Sequence, residues 1–396
     1  MTSSARPLTE VDFCSGSRIE EINKLLEELE RRESSTLQGK EVLQSCVQAK
    51  DLIFSLVGQI HPLPSPNALL LLSGGLCSGL LDVSPTDLGA LSPFISCSIS
   101  YTLLVPILRL PSPDDLSQSC PCHYVLPISL WEPPPPQLSS DNPHLTPHHI
   151  SQWFLPSLLS AVSNLSDSSL PLTLEKAELW GNCASILLSK PSGLLIRFDV
   201  VPVVEVQGWP PGAQYLDDWL GDDGFPPKSF HLLPWGAEGQ WRVGFPGVEL
   251  YMRRCLHPAL SRVLRASMAV LGPILQQPGG PGPYILWITL IHACERLPLG
   301  FLCQTQNAAS CFLGILEELA LSFLRGSCPN PFLPGCDLLL GTRGHYLARK
   351  VSEVRAQPVF YLREVIREAK EVVKGEKMEK EDIEEKEERG SSCYPS

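Results

Sequence analysis

The strongest constraint on the fold of this chain is a long apolar segment, residues 194–209, whose side chains alternate as they do along a β-strand. The opposite row carries Arg197, Asp199 and Glu205 among apolar neighbours. A strand with one fully apolar face and one carboxylate-bearing face is expected to cover a core and to face a cleft. Asp199 is therefore the best single candidate for a functional residue. The apolar row consists of Leu194, Ile196, Phe198, Val200, Pro202, Val204 and Val206.

Net charge excludes one large class of function. The chain of 396 residues carries a formal charge of -12. Nucleic-acid binding depends on Lys and Arg side chains that neutralise phosphates, and attraction to an anionic membrane surface depends on the same residues. We therefore expect no nucleic-acid partner.

The sequence also predicts an intracellular protein without a membrane span. The first residues lack the apolar core of a signal peptide, so the 14 cysteines are expected to be reduced thiols. The two most apolar stretches are interrupted by charge, at Glu295-Arg296 and at Glu317-Glu318. Since each charge at a bilayer centre costs about 2.5–3.5 kcal/mol, both stretches are interpreted as amphipathic core helices.

Hydrophobic periodicity predicts an α+β fold. Helical patterns near the N-terminus precede strands at 68–72 and 98–110, and a strand at 179–188 is expected to pair antiparallel with the 194–209 strand. Beyond this sheet the pattern turns helical. The predicted helices cover 249–275, 284–297, 308–325 and 355–374.

The same patterns predict the organisation of the chain. A lead-in with a helix, 1–39, precedes a core at 40–248, which contains a Pro/Ser-rich insertion at 111–147 interpreted as a linker. A helical lobe at 249–373 follows. The charged tail at 374–396 is expected to be a solvated extension.

Two sequence stretches and the order of the elements carry a resemblance to a known family. The strand Phe-Asp-Val-Val-Pro at 198–202, and residues 286–296 from Leu-Trp to Cys-Glu-Arg, resemble the Mab-21 family. These proteins are related to the cyclic GMP-AMP synthase fold. The resemblance covers about residues 40 to 340 and implies a nucleotidyltransferase-like mixed sheet followed by a helical lobe.

The resemblance also implies where an active site would lie. In active nucleotidyltransferases a Gly-Ser turn and three carboxylates hold two Mg²⁺ ions against a triphosphate, and a pair of acids at i and i+2 shares one strand face. When the family's active-site positions are matched to this sequence, the turn falls on Gly74-Gly75. The positions of the paired acids are occupied by Ser100 and Thr102, and the third acid is Asp199. One carboxylate cannot hold two dications. We therefore expect vestigial positions, no metal, no cofactor and no catalysis.

Two interpretations of Asp199 stay open at this point. Asp199 could bind a ligand, as in a nucleotide sensor or a residual nucleotidyltransferase. It could equally be a carboxylate paired with a nearby arginine. The sequence does not favour a small-molecule ligand in the cleft.

Two other motifs are candidates for binding. Cys120-Pro-Cys122-His123 is half of a possible zinc site, but a structural zinc site needs four ligands, so a reduced thiol pair is favoured. The run Pro133, Pro134, Pro135 and Pro136 could dock in an aromatic groove of a partner. It lacks flanking Arg, Lys or Tyr, so a spacer is favoured over docking.

Further segments resemble one protein of this family more closely, among them Pro7-Leu8-Thr9, Asp12 to Gly16, Ala49-Lys50-Asp51 and Thr102 to Pro106. This closer resemblance implies an adaptor that binds the cytokine-receptor common beta chain and regulates apoptosis after cytokine deprivation. It also implies a place at the plasma membrane, which we expect to be peripheral. The predicted function is therefore a catalytically inactive signalling adaptor.

Overall fold

The computed structural model of the chain describes fourteen ranges of residues. Gly75, the prolines at 133–136 and the predicted tail at 374–396 lie outside them. The described ranges are 16–37, 40–60, 71–74, 99–114, 116–120, 122–131, 143–163, 172–180, 182–190, 195–214, 229–235, 240–277, 280–339 and 344–367.

A mixed sheet forms the first half of the described structure. Its main path runs β1-β2-β7-β8-β9-β4-β3, and the hairpin β5-β6 branches from it through β7. The strands are β1 Leu71–Gly74, β2 Ile99–Leu110, β3 Ser117–Cys120, β4 His123–Val125, β5 Thr173–Trp180, β6 Cys183–Ser189, β7 Leu195–Gln207, β8 Ser229–Trp235 and β9 Gln240–Gly244.

β7 is the long central strand, as its alternating pattern predicts. On one side it pairs in parallel with β2 along nearly its whole length, from Ile99↔Ile196 to Leu110↔Val206. Its other side is divided: β6 pairs antiparallel with residues 195–200, and β8 pairs antiparallel with residues 204–207. The predicted antiparallel partner before β7 is thus present, but the strand predicted at 179–188 is not continuous: its first two residues end β5, and β6 begins at Cys183.

Helices make up the second half and flank the first, so the predicted α+β class is confirmed. Residues 358–367 form the last described helix, α10. The others are α1 Gly16–Leu37, α2 Lys40–Gly58, α3 Pro147–Ser163, α4 Pro246–Arg254, α5 Pro258–Leu275, α6 Tyr284–Arg296, α7 Leu299–Leu302, α8 Ala308–Arg325 and α9 Gly344–Ala356.

Two predicted helices are wrong in their extent. The helix predicted at 249–275 is two helices, α4 and α5, because Pro258 cannot continue the first and instead starts the second, with His257 accepting a hydrogen bond from the Ala259 backbone. The helix predicted at 355–374 is also two helices: residues 355–356 end α9, which begins at Gly344, and α10 begins at Pro358 for the same reason, while residues 368–374 lie outside the described residues. Hydrophobic periodicity does not indicate such breaks.

The interpretation of the insertion at 111–147 as a linker is wrong for residues 117–120 and 122–131. This segment adds β3 and β4 to the sheet, and β4 pairs with β9. It is ordered because it buries aromatic side chains: Tyr124 is fully buried, and Trp131 packs edge-on against Trp153 at 5.1 Å between ring centroids.

The N-terminal helix packs on the helical half. Glu30 of α1 accepts a hydrogen bond from Arg262 Nε at 2.7 Å and another from Arg265, both on α5. Asn23 of α1 accepts the backbone N–H of Ala309 at 2.8 Å, at the first turn of α8. Residues from the two ends of the described chain therefore share one core.

Within the described part of the chain, one segment is long and apolar enough to cross a membrane. It is Thr305–Arg325, which includes α8, and 61% of its most apolar window is buried inside the structure. α8 packs against α1, α5, α6 and α9, as a core helix does. A buried core helix meets the same criteria of length and apolarity as a membrane span, so the segment is weak support for a span.

Candidate functional site

The β2–β7 pair brings together most of the positions that the resemblance implies. Thr102 lies directly opposite Asp199, and Ser100 lies opposite Arg197. On the other side of β2, Gly74 pairs with Tyr101, so β1 continues through Gly74 where the sequence predicted a turn. Gly75 lies outside the described residues. We call the surface formed by Thr102, Ser185, Arg197 and Asp199 the Asp199 face.

Asp199 is paired with an arginine from its own strand. Arg197 Nε donates a hydrogen bond to Asp199 Oδ1 at 2.9 Å, and both side chains are 15% exposed. Ser185 of β6, opposite Asp199, donates a further hydrogen bond. Of the two interpretations left open by the sequence, the structure contains the arginine pair.

The electrostatics of Asp199 follow from this environment. Burial raises the pKa of the carboxyl above its ordinary value, whereas the charge of Arg197 and the hydrogen bonds from Arg197 and Ser185 oppose that rise. The same carboxylate and burial raise the pKa of the Cys183 thiol, with burial the larger cause. Cys183 is therefore held as a neutral thiol and is a poor nucleophile.

The residues of the Asp199 face do not fit a two-magnesium site. Beside Asp199 stand hydroxyl side chains, Thr102 and Ser185, which carry no charge to offset a dication. The next acid in the row, Glu205, lies six residues along the strand, or about 20 Å, and is paired with Arg109 at 2.7 Å. Among the residues that the structure describes, no three His, Cys, Asp or Glu side chains are grouped closely enough to hold a metal ion.

A helix covers the part of this side of the sheet that follows Asp199. Leu250 of α4 packs with Val201 and Val203 of β7, with Leu104 of β2 and with Cys183 in a small apolar cluster. The apolar cover begins two residues after Asp199. Asp199 thus lies at the rim of the covered area, where its side chain keeps partial access to solvent.

A buried polar cluster between α4 and α6 was missed by sequence reasoning. Glu249 accepts a hydrogen bond from the Tyr284 hydroxyl at 2.7 Å, and the guanidinium of Arg253 lies 4.6 Å from the ring centroid of Trp287. Burial raises the pKa of Glu249, opposed by Arg253 and Tyr284. The sequence held no signal for it, because a charged residue in an amphipathic helix is ordinarily expected on the solvent side.

A pair of cysteines was missed as well. Cys122, in the turn between β3 and β4, is hydrogen-bonded to Cys336, 214 positions later in the chain, and Arg242 of β9 lies against Cys336. Cys120 instead contacts His123, with 2.9 Å between Sγ and Nδ1. The three ligand residues of the possible half zinc site are thus divided between two separate pairs, Cys120 with His123 and Cys122 with Cys336.

Comparison with known proteins finds similar proteins but no matching family model. No protein-family model matches the chain. The chain is similar to transmembrane protein 102 of Mus musculus, with 29% identity over 94% of each chain. It is similar to transmembrane protein 102 of Bos taurus, with 28% identity over 94% of each chain. The resemblance to transmembrane protein 102 therefore extends over nearly the full length of the chain.

Proposed function

We propose that this protein is a non-catalytic, Mab-21-like scaffold that binds protein partners, built on a nucleotidyltransferase-like sheet. One observation carries the proposal: Arg197 is bonded to Asp199 at 2.9 Å, with Thr102 and Ser185 on either side. An arginine supplies the positive charge that metal ions supply in an active nucleotidyltransferase. In this proposal the strands that form such a site are retained, and the metal-dependent catalysis is lost.

The architecture supports the nucleotidyltransferase-like part of the proposal. A long central strand carries Asp199 and pairs in parallel with a strand whose matching positions are Ser100 and Thr102. A helical half follows the sheet. This is the order of elements that the resemblance to the Mab-21 family implies.

The partner that we propose is the cytokine-receptor common beta chain, in signalling that regulates apoptosis after cytokine deprivation. Its support is the sequence resemblance alone. We place the protein at the plasma membrane through this partner, without insertion of α8, because α8 is packed among four other helices. The prolines 133–136 are the candidate docking segment.

Binding to the partner can be measured directly. The full-length chain is offered to immobilised cytoplasmic tail of the receptor, with an unrelated acidic protein as the control for charge. Retention above that control is expected. Replacing Pro133 to Pro136 by alanine tests the docking segment, with alanines at Pro62, Pro64 and Pro66 as the matched control. Retention no greater than that of the control protein contradicts the proposed partner.

Absence of nucleotide chemistry is tested separately. Calorimetry of the wild type with ATP or GTP and Mg²⁺ is expected to give no binding heat. Thr102→Asp places a second carboxylate opposite Asp199, and in this variant Mn²⁺ or Mg²⁺ should raise the unfolding temperature, whereas it should not in the wild type. Metal-dependent nucleotide binding that is lost in Asp199→Ala would instead support a nucleotide sensor.

A further inference from the structure

Two thiols from opposite halves of the molecule meet beside a cation. Cys122 belongs to the sheet, at the turn before β4, and Cys336 belongs to the loop after α8. The two side chains are hydrogen-bonded to each other, and Cys336 is also hydrogen-bonded by Arg242. Cys336 is buried and Cys122 is half-buried.

Backbone contacts hold Cys336 in a fixed position. Its carbonyl accepts the N–H of Asn330 and its own N–H donates to Leu333, both at 2.8 Å. The adjacent Asp337 carboxylate accepts the N–H groups of Cys328 and Leu339 at 3.0 and 2.8 Å. The loop that carries Cys336 is thus closed by its own hydrogen bonds.

Cys122 is held just as firmly from the other side. Its carbonyl accepts the N–H of Val243 at 2.8 Å, which ties it to β9. Arg242 precedes Val243 and lies opposite His123 in the β4–β9 pair. β9 therefore both positions Cys122 and places the Arg242 guanidinium beside Cys336.

This arrangement divides the roles of the two sulfurs. The hydrogen bond from Cys122 is the largest cause that lowers the pKa of Cys336, and Arg242 lowers it further against the effect of burial. The same hydrogen bond and burial raise the pKa of Cys122, which stays protonated. Cys336 is the thiolate of the pair, and the thiolate is the nucleophilic form.

We propose that Cys336 and Cys122 are a peroxide-oxidisable dithiol, in which Cys336 reacts first and Cys122 completes a disulfide between the sheet and the helical half. The Cys336 thiolate attacks one oxygen of hydrogen peroxide, the O–O bond breaks, and the leaving hydroxide takes a proton to become water. Cys122 sulfur then displaces the hydroxyl of the Cys336 sulfenic acid as a second water. Two thiols are oxidised, one peroxide is reduced, and a thiol reductant reverses the bond. This inference is independent of the proposed adaptor function.

The first test uses the unmodified, fully reduced, full-length protein. It is exposed to increasing hydrogen peroxide, its remaining thiols are alkylated, and the peptides are mapped by mass spectrometry. We expect a Cys122–Cys336 disulfide, and oxidation of Cys336 at least about tenfold faster than that of Cys294, whose thiol pKa is raised by burial. The reaction should accelerate as the pH rises through the lowered pKa of Cys336.

Peptide mapping needs two precautions. No Lys or Arg lies between residues 110 and 175, so Cys120 and Cys122 share a tryptic peptide; the exposed Cys120 is therefore replaced in a Cys120→Ser background. Cleavage after Phe332 separates Cys328 from Cys336. A disulfide of Cys336 that forms in the wild type and is absent from the Cys120→Ser background would show that Cys336 pairs with Cys120, and would overturn the assignment.

Variants then separate the two roles. Cys122→Ser should accumulate a Cys336 sulfenic acid that a carbon nucleophile such as dimedone traps, and Cys336→Ser should leave Cys122 reduced. Arg242→Gln should slow the first step, and Arg242→Lys should restore part of the rate. Cys255→Ser removes an exposed cysteine and should change nothing. If wild-type Cys336 stays reduced at peroxide concentrations that oxidise Cys255, the proposal is wrong, whatever the variants do.

Discussion

His231 of β8 lies directly opposite Glu205 of β7, and Glu205 pairs with Arg109 of β2 at 2.7 Å. A polar row therefore crosses three adjacent strands inside an apolar sheet. His231 is almost completely buried, and neither of its ring nitrogens has a hydrogen-bond partner among the described residues. Burial lowers the pKa of His231 from 6.5 to about 4, and the charge of Arg109 adds to the effect.

This environment predicts acid sensitivity. The unfolded chain takes up the His231 proton near pH 6.5 and the folded protein only near 4, so the stability from a neutral His231 is present above pH 6.5 and is lost as the pH falls toward 4. The loss is expected to reach about 3 kcal/mol. Urea unfolding at a series of pH values measures it. His231→Phe should flatten the slope, whereas His292→Gln, at a half-buried site, should keep it.

The Arg197–Asp199 pair predicts a strong coupling between the two side chains. Arg197→Met leaves a half-buried carboxylate without its cation and should destabilise the fold by about 1.5–3 kcal/mol, while Asp199→Asn in the same chain should recover most of that loss. Urea unfolding of the two single variants and the double variant gives the coupling energy.

Lys176 and Glu178 of β5 provide the matched control. They have the same i, i+2 spacing, lie 2.7 Å apart, and are 46% and 27% exposed. Because exposed pairs contribute little, Glu178→Gln should change stability by no more than about 0.5 kcal/mol. Equal effects at the two pairs would show that Asp199 is not in the desolvated environment described above.

Gly344 occupies a position where no side chain fits. A Cβ at this residue would lie 2.0 Å from the carbonyl oxygen of Phe323, which is backbone and cannot rotate away. Gly344→Ala should therefore destabilise the protein by about 1–3 kcal/mol. Gly314, inside α8, has nothing within 4 Å of the same atom, and Gly314→Ala should stabilise the helix by about 0.5–1 kcal/mol. Thermal unfolding of both variants checks the opposite signs.

Substitutions in α8 should have different effects if it is a core helix than if it is a membrane span. Leu324 is 54% exposed and Leu316 is fully buried. For a core helix, Leu324→Glu should change stability by about 0.5 kcal/mol or less, and Leu316→Glu should prevent folding. Extraction of cell membranes with carbonate should release the wild type. Carbonate-resistant wild type that is released by Leu324→Glu would instead indicate insertion.

Sequence reasoning succeeded where the signal is local. The period-two alternation around Phe198 and Asp199 predicted which side chains of β7 face the core, because neighbouring residues of any strand point to opposite faces. Leu195 to Gln207 form that strand. Beyond about Val201, however, both faces are buried, because α4 covers the second one through Leu250. A strand pattern carries no information about a helix that packs on it later in the chain.

Two features of the site could not be predicted for a related reason. Whether Asp199 binds a ligand or an arginine depends on the direction of the Arg197 side chain, which β6 limits by placing Leu187 opposite Arg197 and Ser185 opposite Asp199. The contact of Cys122 with Cys336 spans 214 positions and is made by a loop with no periodic signal. Both follow from tertiary packing, which patterns of neighbouring residues do not contain.

The bond network of Glu30 has a consequence for the newly made chain on the ribosome. Its partners Arg262 and Arg265 follow it by 232 and 235 positions. At a synthesis rate of about 5–20 residues per second, α1 emerges roughly ten to fifty seconds before the surface that buries it. During that interval its apolar stripe, which includes Ile22 and Leu26, is exposed to the crowded cell, and we expect chaperones to hold this helix until α5 and α8 are available.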